Sequence, residues 1–199
     1  MKQQEITALK IFESLEKDPI QTQRNLAKEL NISLGLVNAF TKRLIQKGYI
    51  KIKTIPKNRI RYILTPKGMY EKTRLTYQYL LYSLEFYKET RLKIKSIYDQ
   101  LSQQGKKRIY LIGVAELAEI ALVTLQESEL ELAGIVDDEK AGNRLIGFPI
   151  VDSSKLKEAS INDIILITKT AIDSELMNRI VQYGIKNNIV NLSNKYFQA

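Results

Sequence analysis

Residues 23–50 read QRNLAKELNISLGLVNAFTKRLIQKGYI, and this stretch decides the N-terminal fold. Thr22, immediately before it, carries a hydroxyl suited to capping a helix that holds Leu26, Ala27 and Leu30. Asn31 tolerates the backbone conformation that ends a helix. Ser33 then suits the cap of a second helix. In that helix Leu36, Val37, Phe40 and Leu44 fall on one apolar face, predicted to be buried. Leu34, Gly35, Asn38, Ala39 and Lys42 fall away from it. Gly48 ends the helix and a strand begins. The pattern is two short helices joined by a tight turn, with the second helix held by one face and free on the other.

Working outward, Ile6, Leu9, Ile11, Phe12 and Leu15 form a helical stripe before this pair, ended by Asp18-Pro19. After it, Tyr49–Lys53 alternates apolar and basic residues. Pro56-Lys57-Asn58-Arg59 reads as a turn, and Ile60–Leu64 alternates again, which predicts a hairpin with a basic tip.

Charge and composition narrow the function. The 199 residues contain no cysteine and no histidine, which removes disulfides, the usual zinc sites and Cys- or His-based catalysis. The chain is therefore read as not an enzyme. Of the net +9, residues 1–105 carry 20 Lys+Arg against 9 Asp+Glu, and residues 106–199 carry 11 against 13. A basic half joined to a near-neutral half predicts that one half meets a polyanion. No apolar run approaches the ~18 residues of a membrane span, and the polar start is not a signal-peptide core. The expected location is cytoplasmic.

The stretch Gln23–Ile50 resembles the winged helix-turn-helix of bacterial regulators, which implies binding of double-stranded DNA. In such a pair the second helix inserts its N-terminal half in the major groove. Ser33 and Leu34 open that helix. Asn38 suits an adenine edge, which an amide meets with two hydrogen bonds. Lys42 and Arg43 suit phosphates. Gly35 costs ~1 kcal/mol in a helix relative to Ala, explained either by close approach to DNA or by helix–helix packing. Thr22 and Gln23 start the preceding helix, where backbone amides suit a phosphate. Lys57, Asn58, Arg59 and Arg61 on the hairpin suit the minor groove or backbone.

Tyr62-Ile-Leu-Thr-Pro-Lys-Gly68 is similar to the strand-to-helix corner of the multiple-antibiotic-resistance class of regulators. Glu71-Lys-Thr73, Leu75-Thr76, Tyr79-Leu80, Glu85 and Tyr87 resemble its subgroup associated with exopolysaccharide clusters. This likeness covers roughly residues 5–90 and implies control of surface-polysaccharide genes.

From Pro66 to about Gln104 the sequence reads as one helix, roughly 55–60 Å long at ~1.5 Å per residue. Leu75, Tyr79, Tyr82, Phe86, Lys93 and Ile97 lie near one stripe, with Leu80, Leu84, Tyr87, Ile94 and Leu101 beside it. So long an apolar face implies a partner helix, and a symmetric homodimer is expected.

Residues 106–199 alternate strand and helix: Arg108–Val114, Ala115–Glu127, Leu132–Val136, Ile164–Thr168, Ile172–Tyr183 closed by Gly184, and Ile189–Leu192. Alternation predicts a parallel sheet with helices on its faces. The stretch IYLIGVAELAEIALVTLQESELELAGIVDDEKAGNRLIGFPIV looks like the small Rossmann-like domain of sugar acetyltransferases, epimerases and dehydratases that handle nucleotide sugars. The resemblance implies a ligand at Gly113, Val114, Ala115 and Glu116, with Asp137 or Asp138 on a ribose. The glycine motif is degenerate, because Ala115 replaces the second Gly and Glu116 sets a negative charge where a phosphate would lie.

The sequence thus predicts an α+β winged helix-turn-helix domain (1–68), a linker and dimerisation helix (69–104) and an α/β Rossmann-like domain with a parallel sheet (105–199). The expected function is a dimeric DNA-binding transcriptional regulator with a small-molecule effector. A nucleotide sugar is the first expectation for that effector, and NAD(H) or CoA the alternatives. A non-sensing scaffold and a polysaccharide-related enzyme are the competing readings.

Overall fold

Side-chain caps set the N-terminal helices. In the computed structural model, which describes residues 1–56, 59–169, 174–183 and 188–192, α1 spans Gln3–Lys17, α2 Gln23–Leu30 and α3 Leu34–Gln46. The Thr22 hydroxyl accepts the Asn25 N–H at 3.1 Å, and the Ser33 hydroxyl accepts the Leu36 N–H at 3.2 Å. Each bond satisfies one of the amides a helix start leaves without a partner, typically worth about 1 kcal/mol. Asn31 adopts the left-handed conformation between the two helices, at φ 51°.

The hairpin follows as β1 (Ile50–Ile55) and β2 (Arg59–Leu64), paired antiparallel from Ile50–Leu64 to Ile55–Arg59. Arg59 therefore opens the second strand rather than belonging to the turn. Lys57 and Asn58 lie outside the described residues, as do Ile172 and Gly184. The Tyr62 N–H donates to the Pro19 carbonyl at 2.8 Å, joining the hairpin to the α1–α2 connection.

The helix α4 spans Pro66–Gln103. Thr65 caps it by accepting the Gly68 N–H at 3.0 Å, while its own hydroxyl donates to the Gly48 carbonyl at 2.7 Å. A Cβ at Gly68 would stand 2.0 Å from the Tyr49 carbonyl oxygen, so this corner accepts only glycine. The chain forms two compact units, Met1–Glu85 and Phe86–Ala199, and α4 contributes to both.

In the first unit Ile11, Phe12 and Leu15 of α1 pack with Leu26 of α2, with Val37, Phe40 and Leu44 of α3, and with Ile50, Tyr62 and Leu75. One expectation needs correction. Leu36 is 42% exposed, while Thr41 is buried in its place. The buried set Val37, Phe40, Thr41 and Leu44 already has the i, i+3, i+4, i+7 spacing of a single helix face, and Leu36 lies off it.

The second unit holds β3 (Arg108–Ile112), α5 (Glu116–Leu125), β4 (Glu131–Val136), β5 (Arg144–Leu145), β6 (Phe148–Val151), a 3₁₀ turn (Ser153–Glu158), β7 (Ile164–Ile167), α6 (Ser174–Gln182) and β8 (Ile189–Asn191). They build a mixed sheet in the order β5-β6-β4-β3-β7-β8, parallel throughout except for β5 against β6. Ile109, Leu111, Ile164 and Leu166 face one side, with α5 and with Ile94, Ile97 and Tyr98 of α4. Tyr110, Ile112, Ile165 and Ile167 face the other, with Leu156 and Ile180. Strands apolar on both faces are what two covered sides require. Among the described residues no helix is long and apolar enough to cross a membrane.

Candidate nucleic-acid interface

The α3 helix is held by one face, and its other face is free. Leu34, Gly35, Leu36, Asn38, Ala39, Lys42, Arg43 and Gln46 are all exposed. Asn38 makes no side-chain hydrogen bond among the described residues, so its amide is available for a partner. A Cβ built on Gly35 meets nothing within 4 Å. That result removes helix–helix packing within this unit as the reason for the glycine.

Leu34 and Asn38 are one turn apart and share a flank of α3. Arg43 lies on the opposite flank with Leu36. Its guanidinium sits 5.5 Å from the Phe40 ring centroid and donates to Gln4 Oε1 at 3.3 Å. It is thus turned toward α1, whereas Lys42 extends from the free face.

The hairpin register decides where its cations point. Residues directly opposite share a face, so Lys51, Lys53, Arg59 and Arg61 occupy one face, with Lys53 opposite Arg61. The other face carries Ile50, Ile52, Tyr62 and Leu64, of which Ile50 and Tyr62 enter the core. Lys51 and Lys53 belong to the basic face as fully as the two arginines. The sequence shows that alternation, but only the pairing assigns both strands to one side. A cleft of about 390 Å³ separates the start of α2, at Thr22 and Gln23, from Arg59, Ile60 and Tyr62 of the hairpin. The Gln23 amide donates to the Tyr62 hydroxyl across it at 3.1 Å.

Electrostatics divide this unit into two regions. Between residues 20 and 65 there are ten lysines and arginines and one acid, Glu29. Among the described residues Arg24, Lys28, Lys42, Lys51, Lys53, Arg59 and Arg61 form no ion pair. Two cations of α4 are neutralised by contrast: Lys72 pairs with Glu16, and Arg74 with Glu71 at 2.8 Å. The Arg74 guanidinium holds the Glu71 carboxyl below the usual carboxylate range. Unpaired cations collected on one set of elements are what a polyphosphate neutralises, releasing its own counterions.

In the second unit the residues proposed for a ligand come together at the carboxyl ends of β3 and β4. Gly113 follows β3 at φ 87°, and a Cβ there would lie 2.4 Å from the Lys169 Cβ. Asp137 is buried and accepts three backbone N–H groups, from Val114 at 2.8 Å, Glu139 at 3.1 Å and Lys140 at 3.3 Å. Both its oxygens are thereby occupied in joining the two loops. Asp138 is exposed and accepts the Ser153 N–H at 2.7 Å. Lys140 donates to the Val114 carbonyl at 2.6 Å. Ala115 caps α5 without a side-chain bond, and Glu116 is exposed in the first turn.

Residues 4–51 match the model of a winged helix-turn-helix DNA-binding family. The matched stretch contains α1 from its second residue, α2, α3 and the first two residues of β1. No curated protein matches the chain. The N-terminus of the chain is a winged helix-turn-helix DNA-binding domain.

Proposed function

We propose that the chain is a transcriptional regulator that grips double-stranded DNA with α3 in the major groove and the β1–β2 wing on the adjacent backbone or minor groove. The observation that carries this reading is the set of cations on α2, α3 and one face of the wing that form no ion pair among the described residues, around the exposed surface of α3. Thr22 and Gln23 offer backbone amides to a phosphate beside the wing. Asn38 reads a base, Lys42 holds a phosphate, and Lys51, Lys53, Arg59 and Arg61 follow the backbone. Asn38→Ala is expected to lose about 1–3 kcal/mol of discrimination at one base pair while keeping its affinity for unrelated duplexes. A titration of operator variants in which Asn38→Ala discriminates as well as wild type contradicts this placement.

The regulator acts as a homodimer through α4. Supporting this, Tyr77, Tyr79, Leu80, Leu81, Tyr82 and Leu84 are each at least 43% exposed in the first unit, a density of large apolar groups that water does not favour. A two-fold dimer presents two wings to two half-sites.

The second unit is a Rossmann-like effector domain. Its parallel strands run in the order β6-β4-β3-β7-β8, so the chain moves outward from β3 through β4 to β6 and then crosses back to β7 on the other side of β3. The carboxyl ends of β3 and β7 then flank the crevice where such sheets take ligands. Gly113, Val114, Ala115 and Glu116 border that crevice, and Asp138, exposed although it accepts the Ser153 N–H and faces Arg179 at 3.9 Å, is the acid proposed for a ribose hydroxyl. A nucleotide sugar is the first candidate, and NAD(H) and CoA follow. Control of surface-polysaccharide genes rests on the likeness of residues 62–87. Calorimetry of the full chain with these three ligand classes tests the sensing role: saturable heat with one class supports it, and no heat with any contradicts it.

A further inference from the structure

We propose that α3 selects A·T-rich DNA, reading an adenine edge with Asn38 and thymine methyl groups with Leu34 and Leu36. This rests on the reading that α3 enters the major groove.

Two observations carry it. The first is the chemistry of the exposed end of α3. From Ser33 to Thr41 there is no arginine, lysine, glutamine or acid. Guanine is met by Arg or Lys at O6 and N7, and cytosine by an acid at N4. The first two turns of α3 supply none of these, and Lys42 comes in the third. They supply instead an amide with no partner among the described residues, and two leucines exposed at 41% and 42%. Burying the remaining apolar surface of these leucines is favourable, so an outside apolar surface gains from covering them. Thymine displays such a surface in the major groove. Side chains in a helix lean toward its N-terminus, so Leu34 and Leu36, on opposite flanks, both lie toward the end of α3 that enters first. Gly35 lies between them with open space where a Cβ would stand, which lets base edges reach the backbone. Leu34 and Asn38 sit one turn apart on one flank, so a methyl contact and an adenine contact fall on neighbouring positions.

The second observation is the wing. Arg59 and Arg61 lie two residues apart on one face of β2, exposed and without an ion-pair partner among the described residues. A-tracts have a narrow minor groove of enhanced negative potential that draws in arginine. The wing thus favours the same base composition as α3, by a different mechanism.

The experiment has two stages, both with the full chain. Selection from a pool of random duplexes is expected to enrich A·T-rich half-sites. Thymines of the enriched site are then replaced one at a time by deoxyuridine, which deletes the methyl and keeps every hydrogen-bonding group. At one or two positions binding is expected to weaken by about fourfold per methyl. Leu34→Ala with Leu36→Ala is expected to bind the thymine and deoxyuridine duplexes alike. Enrichment of G·C-rich sites, or deoxyuridine duplexes bound by wild type as tightly as thymine duplexes at every position, would overturn this inference alone. Failure to bind any duplex would overturn it together with the DNA-binding reading.

Discussion

The side-chain amide of Gln23 donates to the hydroxyl of Tyr62 at 3.1 Å, tying the first residue of α2 to the second strand of the wing. The Tyr62 ring is 4% exposed and belongs to the core, and its backbone N–H is held by Pro19. One residue therefore fixes the wing at three points: ring, amide and hydroxyl. Tyr62→Phe removes only the hydroxyl. It is expected to cost about 0.5–1.5 kcal/mol of stability and to weaken DNA binding modestly by loosening the wing. Denaturant midpoints and a duplex titration measure the two effects. Unchanged DNA affinity would show that the tie does not position the wing.

The exposed face of α4 carries the second expectation. Tyr77 and Leu84 are seven residues apart, at 61% and 48% exposure, on one side of the helix. Charges at both positions, Tyr77→Glu with Leu84→Glu, are expected to yield monomers by sedimentation. DNA affinity should fall with them, because two linked half-site contacts reinforce each other. A wild-type chain that sediments as a monomer at micromolar concentration contradicts the assembly.

Legibility of the sequence followed the range of the forces involved. The caps at Thr22 and Ser33, the turn at Asn31 and the start of α4 at Thr65-Pro66 depend on bonds within a few residues, and each was readable from the chain. In the second unit β3, β4, β7 and β8 were readable because runs such as Ile109–Ile112 and Ile164–Ile167 are apolar on both faces, while the short β5 and β6 were not among the strands read. Leu36 was misplaced because helical spacing permits either Leu36 or Thr41 beside Val37, and the packing of α1 and α2 chooses. Lys51 and Lys53 were missed because only the register with β2 puts them beside Arg59 and Arg61. Asp137 read as a free acid, yet its partners Val114 and Lys140 lie on two different loops that meet only when the sheet forms. Arg43 reads beside Lys42 in the sequence, and only the fold sets its guanidinium against Phe40 and Gln4.

Alkaline pH probes the second unit through Tyr98, which is fully buried and donates to the Ala121 carbonyl at 3.0 Å. Burial pushes its pKa well above the ordinary value of 10.0. Once pH passes that value, Tyr98 ionises in the unfolded chain and stays protonated in the folded one. The unfolded state then binds fewer protons, so stability falls as pH rises, by up to about 1.4 kcal/mol per pH unit. Tyr98→Phe is expected to flatten this decline, leaving the part that comes from the burial-raised Tyr110 and from Lys155 and Lys169, which their Glu158 and Glu139 partners raise. Urea midpoints between neutral pH and pH 11 check it. Parallel declines in wild type and variant would contradict the assignment.

The most direct test of DNA binding through α3 and the wing is the salt dependence of duplex affinity in wild type and in Arg59→Ala with Arg61→Ala. Each phosphate neutralised adds about −0.9 to the slope of log K against log salt. The account predicts tight, steeply salt-dependent binding by wild type. It predicts a slope smaller by about 2 in the double variant, with discrimination at the base pair read by Asn38 retained because Asn38 is untouched. Wild type that binds no duplex, or a double variant whose slope and affinity match wild type, would contradict it.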